Sequence, residues 1–96
     1  MKEPSACEDM IEIRTEIDNL DKTIIELIGK RFQYVKAASK FKTSEAGVKA
    51  PDRFKAMLVQ RRLWAEQNGL SPDAIEKMYH DLVTHFIQEE LKLFKQ

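Results

Sequence analysis

Apolar residues recur at alternating steps of three and four along the first forty positions. The series runs Met10, Ile13, Ile17, Leu20, Ile24 and Leu27, and resumes at Tyr34, Ala38 and Phe41. That period is the seam of a long amphipathic helix. Arg31 stands in the series where another apolar residue is due. Ser5 with Glu8, and Asp9 with Glu12, have capping-box spacing and are two candidate helix starts. Gly29 is the one weak point, and it costs only about 1 kcal/mol relative to alanine. From Lys42 to Ala50 the period is lost and Gly47 intervenes, which predicts a loop of about nine residues.

Pro51 suits the first turn of a second helix, with Phe54, Met57, Leu58, Arg61 and Trp64 along one side. Asn68 and Gly69 form a stop signal. Ser71, Pro72 and Asp73 read as N-cap, N1 and N2 of a third helix. Its apolar face runs from Ile75 through Leu82, Phe86 and Ile87 to Phe94, and Glu90 falls within that face. The expected fold is all-α, with three helices in a single domain over residues 1–96. A first helix of about 33 residues is about 50 Å long, against a radius of gyration near 13 Å for a compact monomer of this size. The remaining residues cannot cover so long a seam, so an intertwined homodimer is expected. The alternative is a monomeric three-helix bundle with a bent first helix.

Composition narrows the partners. The chain is 43% hydrophobic and 33% charged, with three Gly and three Pro, which is a folded, helix-rich makeup. Sixteen basic residues balance sixteen acidic ones, so neither nucleic acid nor an anionic membrane is an expected partner. Cys7 is the single cysteine, which excludes an intrachain disulfide and suits a reducing compartment. No apolar run has the length of a membrane span, and no signal-peptide core opens the chain, so a cytoplasmic location is expected.

Three ionisable residues lie on or beside the apolar stripes: Arg14, Arg31 and Glu90. A guanidinium does not shed its charge on burial, so Arg31 needs an anion. Glu90 in an internal salt bridge is one source, and a ligand carboxylate is the other. Arg14 flanks the seam, and its plain reading is a surface pair with Asp18 one turn on. Arg14 and Arg31 are seventeen residues apart, about 25 Å along one helix. They reach one small molecule only across a dimer of antiparallel helices, Arg14 of one chain facing Arg31 of the other. Lys42 and Arg53 add positive charge near the same place. Such a cationic pocket with apolar walls suits a small dicarboxylate.

Other chemistry is thin. His80 and His85 are five apart, about 140° around a helix, and do not share a metal easily. Cys7 has no arranged base, and no glycine-rich phosphate loop is present. No metal or cofactor is expected, and an enzyme with these parts works by binding, shape and electrostatics. A non-catalytic helical dimerisation module is the rival from another class.

These positions, in this order, resemble the all-helical chorismate mutase family, and more closely its salicylate-forming isochorismate–pyruvate lyases. The likeness runs from about Pro4 to Lys95. It is densest over residues 29–46 and continues through Ala50-Pro51-Asp52-Arg53, Met57-Leu58 and residues 64–70. Ile13-Arg14, Ile17-Asp18 and Leu20-Asp21 match the family's opening pattern. The resemblance implies an intertwined dimer with two equivalent sites, each built from both chains. Arg14 of one chain and Arg31 of the other would hold two substrate carboxylates. Lys42 would hydrogen-bond the ether oxygen, Arg53 would lie near the ring end, and Val35, Met57 and Ile87 would form apolar walls. The loop after Lys42 would close over the ligand.

The implied reaction is pericyclic and cofactor-free. In the lyase, isochorismate breaks its ether bond as a hydrogen passes to the enolpyruvyl carbon, giving salicylate and pyruvate. In the mutase, chorismate rearranges to prephenate. The protein would hold a near-reactive conformer and stabilise charge growing on the ether oxygen. Glu90 departs from the pattern, because the lyases carry a neutral glutamine at the matching place. An ionised carboxylate there repels the growing charge, whereas a protonated one donates a hydrogen bond. Activity is therefore expected to rise as Glu90 takes up a proton, and Glu90→Gln to flatten the pH profile.

Overall fold

The computed structural model describes residues 2–94, and those residues are helical almost throughout. A single 3-10 turn at Pro4–Ala6 precedes α1, Met10–Ser39. Two further long helices follow, α3 at Pro51–Gln67 and α4 at Pro72–Phe94, with the five-residue α2, Glu45–Lys49, before them. The chain divides into two compact units between Tyr34 and Val35.

In the first unit the helix begins at the second of the two candidate starts. The Glu12 N–H donates to Asp9 Oδ1 at 2.8 Å. The Glu12 carboxylate turns back to accept the Glu8 N–H at 2.7 Å and the Lys2 ammonium at 3.0 Å. These two bonds, the backbone one first, hold the Glu12 carboxyl below its ordinary range. Ser5 instead sits inside the 3-10 turn. The apolar seam of α1 is open: Met10, Ile17, Leu20, Ile24 and Leu27 are 44–58% exposed.

The second unit has a buried core of its own. It contains the last turns of α1, and α3 and α4 form its packed pair. Met57, Ala65, Val83 and Val48 are buried. Two ties lock the pair at the α3–α4 turn. Arg62 Nη1 donates to Asp73 Oδ1 at 2.8 Å and to Glu76 Oε2 at 3.2 Å, which raises the already high Arg62 pKa. The Arg61 guanidinium lies 4.6 Å from the Trp64 ring centre and 5.7 Å from that of Tyr79.

The turn has the expected chemistry. Gly69 adopts φ 71°, a left-handed conformation that glycine tolerates without cost. The Leu70 N–H bonds the Ala65 carbonyl and the Gly69 N–H bonds the Glu66 carbonyl, closing a Schellman motif. Ser71 Oγ accepts the Ala74 N–H at 3.2 Å and caps α4.

The segment 42–50 departs from the expected plain loop. Ser44 Oγ accepts the Gly47 N–H at 3.1 Å and caps α2. Glu45 in its first turn and Lys49 in its last both suit the helix dipole. Val48 is the buried anchor of this short helix, which packs on α4. Ala50 both ends α2 and precedes Pro51, at φ 38°. Proline disfavours the right-handed helical conformation in the residue before it, so α2 and α3 stay separate helices.

Candidate active site

Lys42 and Glu90 form the centre of the site within the second unit. Lys42 lies just past the end of α1, where the Phe41 and Lys42 N–H groups bond the Ala38 and Ser39 carbonyls. This turn stops the helix two residues short of Phe41, so the lysine stem leaves from a turn rather than a helix face. Glu90 lies near the end of α4, on its apolar face, with only 2% of its surface exposed. Lys42 Nζ donates to Glu90 Oε1 at 2.6 Å. The pair spans 48 positions in sequence. Its two members differ in access: the lysine side chain is 25% exposed and the glutamate side chain 2%.

That asymmetry is chemically useful. An ammonium has three donors, and the bond to Glu90 takes one. The carboxylate behind it fixes the direction of Nζ and balances its charge away from solvent. The part-exposed lysine keeps further donor capacity of the kind an anion accepts. Lys42 therefore supplies a partner for Glu90.

The wall residues fall in the same unit. Met57 is buried, Val35 and Ile87 are half-buried, and Ile87 lies one helical turn before Glu90 on α4. Arg53 is exposed in the first turn of α3. The first unit carries the two other arginines, both on α1. Arg14 is exposed, and no ion pair joins it to Asp18 among the described residues. Its expected surface pairing is not formed. Arg31 is half-buried.

Sequence periodicity did not mark α2 or its anchor Val48. The available signal was the Ser44–Gly47 spacing and an apolar residue between a capping serine and Pro51. His80 and His85 serve as ring partners, at 5.5 Å from Phe54 and 5.3 Å from Phe86. Among the described residues no group of acids, histidines and cysteine is placed to hold a metal ion.

The structure thus holds a part-buried ammonium against a buried carboxylate on a helical frame. Comparison with known sequences gives the class. The profile of the family chorismate mutase type II matches residues 13–91, and the chain belongs to that family. Over 96 residues it is 43% identical to the isochorismate pyruvate lyase of Pseudomonas aeruginosa, covering 100% of this chain and 95% of that protein. It is also 40% identical over 86 residues to the T-protein of Haemophilus influenzae, of which it spans 22%. The Enterobacter agglomerans T-protein is 30% identical over 89 residues, and the chain spans 24% of it.

Proposed function

We propose that this protein is an isochorismate pyruvate lyase, converting isochorismate to salicylate and pyruvate, with chorismate mutase as a side activity. The carrying observation is the end-to-end likeness to a lyase of nearly the same length. The Lys42–Glu90 geometry supports it, since it offers a directed ammonium to an ether oxygen gaining charge. No nucleophile, metal or cofactor takes part in the proposed step. The whole of residues 1–96 is read as one domain of the family.

In this reading the chain works as a homodimer. The 44–58% exposure of the α1 seam residues supports it, because a second copy buries that apolar surface. Arg14 of one copy and Arg31 of the other hold the two carboxylates, Lys42 addresses the ether oxygen, and Arg53 sits toward the ring. Val35, Met57 and Ile87 exclude water, and α2 closes the entrance. Glu90 acts through Lys42. No described helix is long and apolar enough to cross a membrane, and a cytoplasmic enzyme making salicylate for siderophores fits this reading.

Glu90 and the T-protein likeness favour a second reading, chorismate mutase as the main activity. Supplying purified protein with isochorismate or chorismate separates the two. The lyase gives salicylate, read by its fluorescence, with an equal amount of pyruvate. The mutase gives prephenate. Formation of neither product above background would exclude both. Arg31→Ala separates an enzyme from a dimerisation module. An enzyme loses about 3 kcal/mol or more of transition-state stabilisation, about a hundredfold in kcat/KM, while remaining a folded dimer.

A further inference from the structure

A concave surface lies in the 35–96 unit, between α3 and α4 and beside the end of α2. It is a groove of about 560 Å³, within the range that small organic ligands occupy. Phe54 and Leu58 of α3 face Ile87 and Leu91 of α4 across it, with Pro51 at one end. Phe54 and His80 add a tilted pair of rings, 5.5 Å between centres. The surface is therefore apolar and partly aromatic.

Its charge is one-sided. The chain carries sixteen carboxylates, yet none lines this groove, while Lys49 and Lys55 both do. His80 is drawn to the neighbouring Asp81, at 3.4 Å. No ion pair holds Lys49 or Lys55 among the described residues. Two cations on an apolar, ring-lined groove complement one chemistry, an aromatic body with a negative end. Thr84 and Gln88 supply hydrogen-bonding groups on the α4 side.

We propose that this groove binds an aromatic carboxylate at a site that meets the substrate site only at Ile87. Its occupant rests on Ile87, one turn before the Glu90 that holds Lys42. Occupancy is thereby placed to report on the catalytic turn of α4.

The test uses 2-naphthoate as the probe and amide chemical shifts of the ¹⁵N-labelled full-length protein as the readout. Saturable shifts should centre on Phe54, Leu58, Thr84 and Leu91. The double variant Lys49→Gln/Lys55→Gln should weaken binding about tenfold, and the uncharged 2-naphthalenemethanol should bind the parent protein about tenfold more weakly than naphthoate. Thr84→Trp, which fills the groove, should abolish the shifts in a protein whose circular dichroism and melting remain those of a folded helix bundle. Arg31→Ala should leave naphthoate affinity unchanged. Three results would overturn the proposal. One is the absence of saturable shifts, as expected where a second copy covers the groove. Another is affinity indifferent to the two lysines or to the probe's charge. The last is binding lost in Arg31→Ala, which assigns naphthoate to the substrate pocket.

Discussion

The first half of α1 and the α3–α4 pair solve the same problem in opposite ways. Both are built from long helices. The α3–α4 pair buries Met57, Ala65 and Val83 and is tied by Arg62 to Asp73 and Glu76. The α1 seam keeps Ile17, Leu20 and Ile24 at 44–51% exposure. The pair has a buried core within one chain, although Val59, Leu63, Trp64 and Met78 stay exposed on it, whereas α1 buries no residue. Of the two arginines assigned to substrate carboxylates in the proposed dimer, Arg14 is exposed on this open stretch and Arg31 lies half-buried further along the same helix.

Substitutions should separate the two regions. Leu20→Asp, on the open seam, should have the largest effect. A carboxylate facing apolar surface is not tolerated unpaired, so the dimer should dissociate and salicylate formation fall by about a hundredfold or more. Ultracentrifugation and the product assay read both. A dimeric, active Leu20→Asp protein would remove the seam from the interface. Met57→Ala, in the closed pair, should cost about 2–5 kcal/mol of unfolding free energy through a buried cavity, read by urea denaturation. An unaltered midpoint would show that this core is loosely packed. Ser71→Ala should cost about 1 kcal/mol by removing the α4 cap, with no change in assembly.

The smallest effect is electrostatic and belongs to α1. The Glu12 carboxyl is held below its ordinary range by the Glu8 N–H and Lys2. Its contribution is therefore complete above the usual glutamate pKa and is lost as pH falls through the lowered value. The protection of the Glu8 amide from exchange, relative to its intrinsic rate at each pH, should fall over that acidic window, and Glu12→Gln should remove the dependence. The same pH profile in both proteins would contradict this account of the helix start.

Much of the frame was legible because it rests on local rules. Pro51, Asn68-Gly69 and Ser71-Pro72 each mark a helix boundary found where expected. The long first helix followed from its period, although its end came at Ser39 rather than near Phe41. Helix α2 escaped because five residues are too short to show a period, and its stability comes from the Ser44 cap and Val48. Glu90 was conspicuous as a charge on an apolar face. Its partner was harder to choose, since helical spacing says nothing of a contact 48 residues away. The cationic groove was invisible for the same reason: Lys49 and Lys55 look like ordinary surface lysines until α4 supplies the opposite wall.

The central claim is that one catalytic site takes Arg14 and Arg31 from different copies. Co-expressing an Arg14→Ala chain with an Arg31→Ala chain tests it directly. Each variant alone should form almost no salicylate. Random pairing makes half the dimers mixed, and each mixed dimer regains one intact site of two, so activity should return to about one quarter of the parent. Activity no higher than that of either variant alone would contradict a site shared between two chains.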